Sequence, residues 1–294
     1  MTYQQQSDRE LLAALESAGP ILLPDLIQVC LERQDSLQRP FLDILAACRQ
    51  DAWELTSDAR WFRGNHAGKF LIAYQAETSL PIFAEIYASS DERDQDLVEW
   101  FGTDLAHFGE TAVSPLVQVL QTDTQGDYHY GRALAATTLK IIALQQPETR
   151  KQVVAALCRE LPGSPHDLTA EMDIDELWTN IILELADLQD EDSRTQIKGM
   201  YAANLVDTDM LSLAEYEASF AEDAPPPPEA ADAFDIVAFY DELRHQESHQ
   251  VKMSGRRNLL RRQGYIPPEP DPQPYVNRFS RWFNERLLGS SDKD

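Results

Sequence analysis

The chain has 294 residues, 43% hydrophobic and 26% charged, with 12 glycines, which is the composition of a folded protein and not of a disordered one. Its formal charge of −25 is unevenly placed: residues 1–251 hold 16 Lys+Arg against 45 Asp+Glu, and residues 252–294 hold 9 against 5. An acidic body repels phosphate, so it disfavours binding of nucleic acid or anionic lipid through residues 1–251.

Ala and Leu are plentiful and β-branched runs are short, which favours helix over strand and predicts an all-α fold. Cys30, Cys48 and Cys158 are isolated, with no CxxC pair, which argues against a disulfide framework and a zinc site. The N-terminus, MTYQQQSDRE, has no basic region followed by an apolar one, and no run approaches 18 apolar residues. The expectation is a cytoplasmic protein.

In chain order, Ser7 with Glu10 three residues on is a capping box, followed by Leu11, Leu12 and Leu15 at helical spacing. Gly19-Pro20 ends that pattern. The periodicity then predicts helices at 24–34, 38–50, 66–76, 78–88, 94–108, 111–121, 127–145, 148–161, 173–188, 191–203 and 212–220. A weak internal repeat runs through them. Pro24, Pro81 and Pro115 each precede an apolar pair, a polar residue and further apolar positions. Ala76-Glu77-Thr78 and Gly109-Glu110-Thr111 stand just before two of these prolines. Proline suits the first turn of a helix, where its missing N–H would lack a partner anyway. Pro81 and Pro115 lie 34 positions apart, within the span of a two-helix solenoid unit.

The clearest unit is 127–161. It opens with Asp127-Tyr128-His129-Tyr130-Gly131-Arg132-Ala133-Leu134, turns at Pro147-Glu148-Thr149-Arg150, and continues with Val153, Val154, Leu157 and Leu161. This stretch resembles a HEAT repeat, whose first helix carries Asp, then Arg, then paired Ala and Leu. The resemblance, degenerate over about residues 20–205, implies that Arg132 links neighbouring repeats and that Asp127 is its partner. Residues 178–220, with Trp178, Leu185-Ala186-Asp187-Leu188 and Leu213-Ala214-Glu215-Tyr216-Glu217, are similar to the end of an uncharacterised bacterial HEAT-like domain family. Members of that family often carry a Cys-rich metal-binding motif at the C-terminus. This chain has no Cys after Cys158, so that motif is absent, and the resemblance brings no known activity.

After Phe220 the composition changes. Residues 222–232, with Pro225 to Pro228, read as a stiff linker. Asp232 is a candidate cap for a helix lined by Ile236, Phe239, Tyr240 and Leu243. A basic stretch follows with Arg256, Arg257, Arg261 and Arg262, and then an amphipathic helix at about 275–288 with Phe279, Trp282 and Phe283.

No catalytic motif emerges. His245 and His249 are spaced i, i+4, but Gln246 stands where a zinc protease needs Glu, so a solvated helix end is the plainer reading. His66 and His129 lie beside aromatic residues, as pocket or packing residues do. Trp53, Trp61 and Phe62 flank a loop at 51–65 and serve either as partner anchors or as plugs between repeats. Carboxylate clusters such as Asp91 to Asp96 suit helix N-termini. No catalytic, cofactor or metal residue is expected.

The sequence thus predicts an all-α α-solenoid of about five HEAT-like hairpins over 1–221, a Pro-rich linker at 222–232, and a partly helical tail at 233–294. The expected function is a protein–protein interaction scaffold without catalysis. The alternatives are a chaperone-like lyase subunit assisting bilin attachment, suggested by HEAT-like proteins with that role, or a regulator binding RNA or membrane through the basic tail. The residues expected to meet a partner are Arg256, Arg257, Arg261, Arg262, Phe279, Trp282 and Phe283. Docking of the same tail on the acidic body is the competing outcome, since a solenoid's apolar end needs a cap.

Overall fold

The computed structural model describes residues 2–48, 62–89, 92–122, 130–163, 176–221 and 234–245. These residues form helices and turns, with no strand among them. In chain order the α-helices are α1 (Asp8–Glu16), α2 (Pro24–Glu32), α3 (Gln34–Cys48), α4 (Arg63–Ala73), α5 (Leu80–Tyr87), α6 (Glu92–Phe101), α7 (Glu110–Leu120), α8 (Tyr130–Gln145), α9 (Arg150–Glu160), α10 (Glu176–Asp187), α11 (Arg194–Ala202), α12 (Leu213–Ala218) and α13 (236–245). The described residues fall into two compact units, those up to Tyr74 together with those from Asp235 onward, and those from Gln75 to Phe234.

The first unit is built on α1 to α4. The capping box is formed: the Ser7 N–H donates to Glu10 Oε2 at 2.7 Å, and the Glu10 N–H to Ser7 Oγ at 3.4 Å. Arg33 fills the break between α2 and α3, donating to Gln6 O at 2.7 Å, Asp8 Oδ1 at 3.0 Å and Gln4 O at 3.0 Å. Leu11, Leu15, Leu26 and Phe41 are fully or almost fully buried, and the Phe41 ring stacks on Phe70 at 5.0 Å. The Tyr74 hydroxyl donates to Cys30 O at 2.6 Å. The helix expected to start at 38 begins at Gln34 and runs through Pro40, so that proline lies inside α3 and not in its first turn.

In the second unit the helices meet in an alternating pattern. α5 packs on α7 and α7 on α9, while α6 packs on α8 and α8 on α10. Sequential neighbours α7 and α8, and α8 and α9, also touch. The start of α8 comes very close to the end of α5: a Cβ on Gly131 would stand 2.0 Å from the Tyr87 carbonyl oxygen. Only glycine fits there.

The helix expected over 94–108 is broken. α6 ends at Phe101, Gly102 has φ +53°, a 3₁₀ turn spans Asp104–Phe108, and Gly109 has φ +59° and ψ −138°. That last conformation is open essentially to glycine alone. The Tyr87 hydroxyl donates to Gly102 O at 2.5 Å and fixes the break. Pro81 lies in a first turn as expected, but Pro115 stands inside α7, which begins at Glu110.

One local device recurs where a helix begins. A side-chain hydroxyl donates to the carbonyl three residues before it: Ser36 to Arg33 O at 3.2 Å, Ser79 to Ala76 O at 2.6 Å, Thr111 to Phe108 O at 2.9 Å, Thr149 to Gln146 O at 2.8 Å, and Ser193 to Asp190 O at 3.1 Å. Ser79, Thr149 and Ser193 are buried, so these bonds satisfy groups withdrawn from water.

Candidate functional site

The densest buried polar group of the first unit lies on α4. Every residue from Gly64 to Ile72 is buried, including Asn65, His66 and Lys69. His66 Nε2 lies 2.7 Å from Gly19 O, and Nδ1 lies 2.5 Å from the Tyr240 hydroxyl. A carbonyl only accepts, so Nε2 carries the proton and Nδ1 accepts from Tyr240. Burial pushes the imidazole down to about 4 and the Tyr240 phenol well above its usual range. The pair is a fixed neutral hydrogen bond at ordinary pH, not a proton-transfer couple. One turn along, the Lys69 ammonium sits 3.8 Å from the centroid of the Phe239 ring, an attractive cation–π placement. His66 is therefore a core residue that receives α13, the packing alternative of the two that the sequence allowed.

The second unit holds part-buried charges between helices. On α8, Arg132 Nε donates to Leu120 O, the last carbonyl of α7, at 2.8 Å, and Nη2 reaches Glu160 Oε2 at the end of α9 at 3.4 Å. Arg132 thus ties α8 to the helices before and after it. Its expected partner, Asp127, lies outside the described residues. Lys140 Nζ lies 2.8 Å from Glu184 Oε2 and 2.7 Å from Asp187 Oδ2 on α10, and the Thr137 hydroxyl donates to Glu184 Oε1 at 2.5 Å. Burial opposes the charge on Lys140, but the two carboxylates more than offset it and its pKa is raised. Arg150 on α9 donates to Leu188 O, just past α10. At the end of this unit, Arg194 pairs with Glu217 at 2.7 Å and lies over the Phe220 ring, joining α11 to α12.

On α6, the Glu99 carboxyl is pushed up to about 7 by burial and by Asp96. Cys30 and Cys158 are pushed up to about 12 and about 11 by burial, so both are inert thiols at neutral pH. Among the described residues no group of three or more His, Cys, Asp and Glu is placed to hold a metal ion, and no helix is long and apolar enough to cross a membrane.

Arg256, Arg257, Arg261, Arg262, Phe279, Trp282 and Phe283 lie outside the described residues, as do Trp53, Trp61, His129, His249 and the linker prolines. His245 is exposed on α13, with Nδ1 2.7 Å from Asp241 O. The cap of α13 is Asp235, whose Oδ1 accepts from the N–H groups of Val237 at 2.8 Å and Ala238 at 3.2 Å; the candidate Asp232 is not among the described residues. Lys69, Lys140 and Glu184 escaped the sequence reading, as did the bond from Tyr240, itself placed on the apolar side of its helix, to His66. Their partners lie dozens of positions away, and a polar residue in a helical pattern reads locally as solvent-facing.

These sites define an all-helical protein in which several ionisable side chains bridge neighbouring helices. The chain belongs to the family described as "Protein of unknown function (DUF1186)", matched over residues 8–225. No curated protein and no solved structure matches it. Helix α13 lies beyond the matched stretch.

Proposed function

We propose that this chain is a HEAT-like helical-repeat scaffold of about five hairpins that binds other proteins through its helical surface. The observation that carries this reading is the recurring hydroxyl-to-carbonyl turn. Ser36, Ser79, Thr111, Thr149 and Ser193 stand 43, 32, 38 and 44 positions apart, the period of a two-helix repeat. Each stands at the start of a helix: α3, α5, α7, α9 and α11. The alternating contacts of the second unit, α5 to α7 to α9 and α6 to α8 to α10, fit two rows of stacked helices. Stacked hairpins offer a broad surface on which affinity comes from a few anchors and not from one pocket. The basic tail from Arg256 to Arg262 is the second element proposed to meet a partner, on its charge contrast with the acidic body.

The test compares the full chain with a truncation ending at residue 245, both immobilised and exposed to lysate of the source cell. Cutting at 245 and not at 221 keeps Tyr240 on His66. The expected result is one protein retained reproducibly by both and reassembled from purified components as a complex in sedimentation. Retention of nothing by either chain overturns the scaffold reading. A partner bound by the full chain alone moves the site to the tail.

A further inference from the structure

Helix α12 is the last helix of the stretch shared with the family, and its outer side is apolar. Tyr216 is fully buried, with the Tyr201 and Phe220 rings 6.0 and 5.2 Å from its own. Ala214 and Ala218, on the opposite side of the helix, are exposed, and Leu213 in its first turn is 42% exposed. Met210, three positions earlier, is 45% exposed. Its turn is fixed: the N–H groups of Met210 and Leu211 donate to Asp207 O, and the Tyr201 hydroxyl donates to Leu211 O. A single exposed apolar residue is ordinary. Here two of the three large apolar side chains exposed among the described residues stand at one turn beside Ala214, which makes a patch. Its rim is acidic. Asp207, Asp209 and Glu215 lie within three positions of Met210 or Leu213. The Asp207 carboxylate accepts from the Asp209 N–H, and that of Glu215 from the Ser212 N–H and hydroxyl, neutral donors that leave both charges standing. The cations on α11, Arg194 and Lys198, are taken up by Glu217.

An acidic rim selects against a second copy of the chain, since a two-fold contact would set Asp209 and Glu215 against themselves. It selects for an apolar segment that carries cations. The chain holds one outside the described residues. Within 275–288, Val276, Phe279, Phe283 and Leu287 recur at helical spacing, with Arg278, Arg281 and Arg286 among them. Residues 246–274 can bridge up to roughly 100 Å when extended, so the tether does not restrict where that segment lands. We infer that residues 275–288 dock on the apolar patch of Met210, Leu213, Ala214 and Ala218, with their arginines meeting Asp207, Asp209 and Glu215. The contact occupies Phe279 and Phe283, so any partner of those side chains competes with α12 for them. This holds whether or not the helical surface binds other proteins.

Hydrogen exchange of the full chain, read by mass spectrometry, tests the contact. The amides of 275–288 are expected to exchange about tenfold or more slower than those of the same sequence as a free peptide. Met210→Asp combined with Leu213→Asp changes two exposed positions and leaves the core alone. That double variant is expected to lose most of the protection of 275–288 while α11 keeps its own. Exchange of 275–288 at the free-peptide rate in the wild type overturns the inference. Equal protection in the wild type and in a double variant that is folded by circular dichroism does so too; if that variant does not fold, Met210→Asp alone takes its place under the same criterion. A dimer that dissociates on dilution in sedimentation, and takes the protection with it, overturns the inference in favour of a second copy on this face.

Discussion

Gly131→Ala sets packing against propensity in one substitution. The added methyl group would stand 2.0 Å from the Tyr87 carbonyl oxygen, 2.9 Å from its carbon and 3.1 Å from Tyr87 Cα. A comfortable C···O contact is about 3.3 Å, so the end of α5 and the start of α8 would have to part by roughly 1 Å. The atoms met are backbone, and no rotamer change relieves them. Over-packing of this kind costs about 1–3 kcal/mol, and more where the main chain must move. Alanine returns about 1 kcal/mol of helix propensity. Because the clash is with main chain, the upper end of that range applies, and the net expectation is a loss of about 2 kcal/mol, or a fall in Tm of roughly 4–8 °C for a chain of this size. Urea unfolding followed by circular dichroism at 222 nm measures it. Gly163→Ala, whose methyl group would meet nothing within 4 Å, is the control and should change stability by less than about 0.5 kcal/mol. A Gly131→Ala chain as stable as the wild type would refute the claimed contact, since propensity alone predicts a gain.

Three further outcomes follow from the buried groups. His66 is held neutral in the fold down to about 4 but takes a proton near 6.5 when unfolded, so stability falls as pH drops from 6.5 toward 4, by up to about 3 kcal/mol from this residue. The acid-induced loss measured by urea unfolding should be correspondingly smaller in His66→Gln, and equal pH slopes in the two proteins would count against the assignment. Lys140→Ala leaves the Glu184 carboxylate buried beside Thr137 and should cost about 3 kcal/mol, while adding Glu184→Leu should recover at least about 1 kcal/mol of it; strict additivity in that double-mutant cycle would dismiss the coupling. With its side chain buried and its thiol raised to about 12, Cys30 should resist a thiol-exchange reagent at pH 8 in the folded chain and react after denaturation, and prompt labelling in the native protein would contradict its burial.

Helix existence was legible because the apolar stripes are strong. Leu11 and Leu15, and Val153 and Leu157, are all buried where the periodicity put them inside. The capping box at Ser7 was legible because both of its partners lie within one turn. Proline was an uneven marker of helix starts: Pro81 lies in the first turn of α5, but Pro115 sits inside α7, although the bounds of that helix fall within one residue of those expected. The break at 102–109 was missed because Gly102 and Gly109 act through backbone angles that composition does not reveal. The buried polar links were the least legible part. Nothing near Lys140 in sequence points to Glu184, 44 positions on, and nothing near His66 points to Tyr240, 174 positions on. A polar residue on a helix declares its partner only after the helices have packed.

The buried cations share a logic that goes beyond charge pairing. Arg132 donates to Leu120 O at the end of α7 and Arg150 to Leu188 O just past α10. The last carbonyls of a helix lack intrahelical partners and carry the negative end of its dipole, so a guanidinium there satisfies both a hydrogen-bond deficit and a field. Apolar stripes alone would let neighbouring helices slide by a turn at modest cost. A guanidinium bound to one particular carbonyl fixes the offset, because a slip of one turn would strand the cation among apolar side chains. Glu160 and the Lys140 links to Glu184 and Asp187 add the same constraint from the carboxylate side. In a chain with twice as many acidic as basic residues, placing these cations between helices joins the packing to the charge pattern. Register within the second unit is set by a few long basic side chains reaching from one helix to the exposed backbone or carboxylates of the next.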